Sequence, residues 1–102
     1  MTQPLPPLTG KQKRHLKALA HSLKPVLQLG KGGVTAAFVA NLINHFGQRE
    51  LLKVKLLQNA ELSAPEAALA LAQAVPCQVA QVIGKTLVLY KPFDEDPEIK
   101  LP

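Results

Sequence analysis

Apolar residues along this chain change their spacing several times, and each change marks a new element. Leu16, Leu19, Ala20 and Leu23 recur at i, i+3, i+4 and i+7, one stripe of a helix. Thr9 and Gln12, just upstream, have capping-box spacing, so this helix should start after Thr9 and stop before Pro25. Pro25–Leu29 is a short apolar run between proline and glycine, as a buried strand requires. Gly30-Lys31-Gly32-Gly33 then turns the chain. Thr35 can cap a second helix with Phe38, Val39, Leu42, Ile43 and Phe46 facing inward and Gly47 at its end. Leu51–Leu57 alternates, with Leu52, Val54 and Leu56 on one face and Lys53 and Lys55 on the other, so one face is left wet or facing a polyanion. Ser63-Ala64-Pro65-Glu66 is a second capping box, opening an alanine-rich third helix that closes before Pro76. Cys77–Ile83 and Thr86–Lys91 read as an antiparallel hairpin about the two-residue turn Gly84-Lys85.

The order α-β-α-β-α-β-β predicts a single α/β domain with a mixed four-stranded sheet and helical cover. Strand-helix-strand units imply parallel neighbours, and the hairpin adds an antiparallel pair. With 102 residues, 47% of them hydrophobic, the chain suffices for one packed core and not two. Three prolines make residues 1–8 a flexible lead-in; residues 9–91 form the domain; residues 92–102, with Pro92, Pro97 and Pro102 among four acids, read as an extended acidic tail beyond the core. No run of about 18 apolar residues is present and the first ten residues lack a secretory pattern, so a soluble, unexported, cytoplasmic protein is expected. Cys77, the lone cysteine, sits in an apolar stretch and is expected to behave as a small buried hydrophobe.

Charge sharpens the picture because it is segregated. Residues 1–60 hold nine basic residues against the single acid Glu50, a net +8, whereas residues 61–102 carry a net −3. Dense like charge repels itself, so the first half implies a polyanionic partner, with an ordinary solvated basic surface as the alternative. On a helical wheel Lys13, Arg14, Lys17, His21 and Lys24 cluster beside the apolar stripe, without interleaved carboxylates. Lys11, Lys13 and Arg14 also fall at the helix start, where the dipole disfavours cations by roughly 0.3–1 kcal/mol each.

The Gly30–Gly33 loop leads from a strand into a helix, so its amides and the helix N-terminus can face an anion, with Lys31 adding a mobile charge. A glycine-rich turn can also be only a turn. A P-loop is excluded, since Lys31 directly follows Gly30 and precedes Gly32; a dinucleotide fingerprint would need glycine at Thr35 and a carboxylate about 20 residues on. His15, His21 and His45 have no metal-ligand spacing and are expected to be solvated or capping; Ser22 and Ser63 lack a nucleophile context. No enzyme, metal or cofactor is therefore expected. Aromatic content is 4%, with Phe38 and Phe46 assigned to the core and Tyr90 and Phe93 left as stacking platforms, so backbone and shape should dominate any nucleic-acid recognition.

Four separated motifs, Leu8–Gln12, Pro25–Gly33, Arg49–Lys55 and Gln81–Tyr90, together make the chain resemble the CRM domain, and more narrowly its stand-alone bacterial YhbY-like members. The resemblance implies a fold similar to the C-terminal domain of translation initiation factor three. It also implies binding to ribosomal RNA in precursors of the large ribosomal subunit; plant organelle relatives assist group II intron splicing. The family's G-x-x-G loop falls on Gly30, Lys31, Gly32 and Gly33, and its basic surface on Lys11, Lys13, Arg14 and Lys17, with Arg49, Lys53 and Lys55 as weaker members. Gly47 stands where a bulkier helical residue would be expected, implying a looser end to the second helix. The expectation is a monomeric, non-enzymatic RNA-binding protein, with ribosomal proteins as further partners. The rival from another class is an assembly factor that docks on protein through the hairpin and acidic tail.

Overall fold

The computed structural model describes residues 7–102. Residues 1–6, most of the expected lead-in, lie outside the described residues. Seven elements follow in order: α1 (Gly10–Ala20), β1 (Leu27–Leu29), α2 (Ala36–Phe46), β2 (Leu51–Leu56), α3 (Ala64–Ala74), β3 (Gln78–Ile83) and β4 (Thr86–Tyr90).

The local signals act as their chemistry requires. Thr9 Oγ1 accepts the Gln12 amide at 3.1 Å while Gln12 Oε1 accepts the Thr9 amide at 3.0 Å, closing a capping box at α1. Ser63 and Glu66 do the same at α3, and these bonds from Ser63 lower the pKa of the Glu66 carboxyl. Thr35 caps α2 through the Phe38 amide at 3.1 Å. Gly47 ends α2 at φ −71°, an ordinary right-handed conformation, and its amide still reaches the Ile43 carbonyl. The helix thus closes without the loosening expected there.

α1 stops earlier than expected, at Ala20, and the Leu23 amide bonds back to the Ala20 carbonyl. Leu16 and Ala20 are buried, but Leu19 and Leu23 are 42% and 38% exposed, so only half of the predicted stripe enters the core.

The sheet order is β1-β2-β4-β3, with β1 parallel to β2 and the other pairs antiparallel. β3 runs parallel to β2, as the β-α-β reading requires, yet β4 separates them. Burial accounts for the insertion. Leu87, Val88, Leu89 and Tyr90 of β4 are all buried, whereas Val82 and Ile83 of β3 are 40% and 53% exposed. The strand that is apolar on both faces takes the interior position. Gly84, at φ +54°, supplies the positive φ that the first central residue of a II′ hairpin turn needs.

Two cores lie on opposite faces of the sheet. α2 and α3 cover one face through Leu42, Phe46, Ala67 and Leu71, packed on Leu29, Leu52, Val54, Leu56, Leu87 and Leu89. The other face is not left open along its length. Leu16 and Ala20 of α1 pack there with Leu8, Leu51, Ala80, Val88 and Tyr90, and Ile99 and Leu101 of the tail join them. Leu8, read as lead-in, is therefore core, and so is part of the tail.

Glu50 explains the tail. Its side chain is 3% exposed, and its two oxygens accept the amides of Phe93, Glu98 and Ile99, each at 2.7 Å. Asp96, at φ +51°, makes the left-handed bend between those contacts, a conformation Asp tolerates. The core that the sequence reading ended at Lys91 thus extends to Leu101. Tyr90, expected as a stacking platform, is buried instead; burial, reinforced by Glu50, raises its hydroxyl pKa.

Two outcomes follow from this packing. Glu50→Gln exchanges an acceptor of three amides for a group that accepts fewer, and should destabilise the fold by about 2–4 kcal/mol; hydrogen exchange should accelerate first at Phe93, Glu98 and Ile99. Burial, opposed by Lys91, raises the Cys77 thiol to about 11, so at pH 8 thiol reagents should modify it slowly in the folded protein and quickly after denaturation.

Candidate nucleic-acid interface

The Gly30–Gly33 loop continues directly from β1. The Gly33 amide donates to the Gly30 carbonyl at 3.1 Å, closing a turn with Lys31 and Gly32 at its centre. Gly32 stands at φ +98° and Gly33 at φ +65°, whereas Lys31 keeps a negative φ; this is the sign pattern of a type II turn, which favours glycine at its third position. Gly30 has tight surroundings instead. A Cβ there would stand 3.1 Å from Asn59 Oδ1 and 3.3 Å from Leu57 Cδ1, so the loop lies close against the β2–α3 connection. Gly32 and Gly33 are thus explained by backbone geometry before any ligand is invoked. The loop nonetheless ends at Thr35 with the first-turn amides of α2, which have no acceptor within the helix. Lys31 is exposed at the apex.

Strand register connects the loop to the other cations. Lys55 pairs with Gln28 of β1 and Thr86 of β4; Lys53, two residues earlier on the same face, pairs with Val88. Val88 in turn pairs with Gln81, and Thr86 with Ile83. Two rows of side chains therefore cross the α1 face of the sheet, and the row through Gln28 and Lys55 is two residues from Gly30. α1 covers this face only in part. Its Lys17 and His21 stand along a groove whose other wall includes Lys53. Lys53 Nζ donates to the Leu23 carbonyl at 3.0 Å, so its ammonium is held in position and keeps two further donors.

The remaining predicted cations are distributed more widely. Arg49 lies beside Lys24 in a neighbouring hollow with Leu23 and Val26, and its guanidinium reaches Gln48 Oε1 at 3.4 Å. Because Leu23 borders that hollow and accepts from Lys53, the two concavities adjoin. Lys11, Lys13 and Arg14 are exposed on the first turns of α1; of the α1 cations that sequence nominated for the site, the groove takes only Lys17. Among the described residues, none of Lys11, Lys13, Arg14, Lys17, Lys31 and Lys55 is paired with a carboxylate. Sequence reasoning missed the groove itself, including Gln81, Ile83 and Thr86. Only strand register, which no local motif announces, brings those residues beside Lys53.

His21 is exposed at the C-terminal end of α1, as a solvated histidine should be, but His45 keeps Nδ1 buried with no hydrogen-bond partner among the described residues. Phe93 is half-buried at a hollow that it shares with Ile43, Phe46, Val75, Lys91 and Asp94, and stays partly exposed there. Among the described residues no group of three or more His, Cys, Asp or Glu could hold a metal, and no helix is long and apolar enough to cross a membrane.

Comparison with known proteins agrees with this architecture. The chain is 45% identical over 95 residues to the probable RNA-binding protein YqeI of Bacillus subtilis, covering 93% of this chain and 99% of the relative. It is 38% identical over 95 residues to an RNA-binding protein of Haemophilus influenzae, covering 93% and 95%. The solution structure of a hypothetical protein from Staphylococcus aureus superposes with a TM-score of 0.79 at 42% identity, covering 93% of this chain and 99% of that one. The CRS1 / YhbY (CRM) domain pattern matches residues 8–91, and with the fold and the near full-length relatives in agreement, this chain belongs to that family.

Proposed function

We propose that this protein is a non-enzymatic, cytoplasmic RNA-binding protein that acts as a monomer on ribosomal RNA in precursors of the large ribosomal subunit. Phosphates seat on the Gly30–Gly33 loop and the N-terminus of α2, and Lys31 closes over them. Lys55 and Lys53 continue the line across the sheet, and Lys17, with Lys11, Lys13 and Arg14 on the flank of α1, extends it. Arg49 lies at its margin. The observation that carries this reading is a set of cations that, among the described residues, have no carboxylate partner, on a surface that runs into a glycine loop and the N-terminus of α2. A stabilising surface would interleave acids with them. Two relatives bear RNA-binding names, and the sequence resemblance to YhbY-like proteins is the basis for the ribosomal target. Recognition of this kind reads shape and backbone more than sequence.

The assembly-factor alternative would use protein contacts alone, with the exposed acids Asp94 and Glu95 as its docking charges. Nuclease treatment separates the two: an RNA-bound protein leaves ribosomal particles, and a protein-docked one stays.

The quantitative test is salt dependence. Binding to RNA should weaken linearly in log affinity against log salt, and replacing Lys11, Lys13 and Lys17 together by alanine should reduce the slope by roughly 2, at about 0.7 per phosphate contact on single strands. An unchanged slope removes α1 from the surface. Lys31→Ala should weaken binding while leaving thermal stability as it is. Gly32→Ala, forced to φ +98°, should cost stability as well, by about 1–2 kcal/mol, so Lys31 gives the cleaner measure of the loop's part in binding.

A further inference from the structure

The groove beside α1 has features that a backbone-binding track does not use. It has a volume of about 360 Å³ and is lined by Lys17, Ala20, His21, Lys53, Gln81, Ile83, Thr86 and Val88, with no carboxylate among them. That size falls within the range of about 300–1,000 Å³ typical of small-molecule sites. Val88 is buried, but Ile83 is 53% exposed, an apolar surface that the α1-side core leaves uncovered. Gln81 and Thr86 add an amide and a hydroxyl, each able both to donate and to accept. The ammonium of Lys53, held by the Leu23 carbonyl at 3.0 Å, stands at the wall.

We propose that this groove seats a single unpaired nucleotide, its base lying on Ile83 with its edge toward Gln81 and Thr86, and its phosphate between Lys17 and Lys53. The inference rests on the RNA-binding reading above and specifies what part of an RNA this face takes. A cationic wall suits a phosphate, an uncovered aliphatic side chain suits the face of a base, and a mixed donor and acceptor pair suits its edge. A base within a duplex offers neither face nor pairing edge, because both are used. The groove also opens onto the row through Thr86 and Lys55, which leads to Gln28 and the Gly30–Gly33 loop. A backbone following that row would therefore bring a flipped-out nucleotide to the groove. Tyr90 is buried and Phe93 lines a different hollow, so at this groove an aliphatic surface takes the place of an aromatic platform.

The test compares two RNAs at one salt concentration by fluorescence anisotropy with the full chain: a 20-base-pair duplex, and the same duplex carrying one bulged nucleotide. The wild type should bind the bulged RNA about tenfold more tightly. In Ile83→Ser and Gln81→Ala, each checked for folding by thermal melting, that ratio should fall close to one. Equal affinity of the wild type for the two RNAs, or a ratio that survives both substitutions, overturns the nucleotide site and leaves backbone binding intact; a groove that serves a protein segment gives that same equality. No binding to either RNA overturns the RNA-binding reading and this inference together.

Discussion

The structure depends on one buried carboxylate. Glu50 gathers the amides of Phe93, Glu98 and Ile99 at 2.7 Å and so fastens a proline-bearing tail across the start of β2. A buried anion is tolerated only when its lone pairs are filled, and these amides fill them. The fastening lets Ile99 and Leu101 cover the smaller of the two cores, where α1 meets the sheet through little more than Leu16 and Ala20. The same contact has an electrostatic result. Glu50 is the only acid in the first sixty residues, and with its oxygens buried and taken up by amides that half has no surface carboxylate to pair with its own cations.

Much of the fold was legible because each element carries its own punctuation. Both capping boxes, the Thr35 cap and the Gly84 turn were readable from residue type and spacing, since their hydrogen bonds span three residues or fewer. The misreadings involve distant partners. Nothing local says that an acidic, proline-bearing tail will dock, because a carboxylate that accepts backbone amides requires no particular side chain opposite it. The insertion of β4 between β2 and β3 was hidden for a similar reason. The order of strands is decided by which of them is most apolar on both faces, a comparison across the whole chain. Leu19 and Leu23 keep helical spacing, yet spacing cannot report how narrow the contact of α1 with the sheet is.

The candidate site divides along the same line. Gly30, Lys31, Gly32 and Gly33 stood out as a string, and the structure adds that two of the glycines answer to positive φ and the first to Asn59. Lys53 and Lys55 were recognised as one face of a strand. Their association with Lys17, Thr86 and Gln81 comes only through pairing, so the concave part of the surface was illegible although most of its cations were not.

The two margins of the sheet have a bearing on how such a basic, half-apolar chain behaves at high concentration. One margin is β1, only three residues long; the other is β3, whose pairing is interrupted by a bulge between Val79 and Gln81. A short strand and a kinked one are poor templates for edge-to-edge growth. Each molecule therefore offers its neighbours little on which to extend a continuous ladder, which favours dispersal over fibrous stacking.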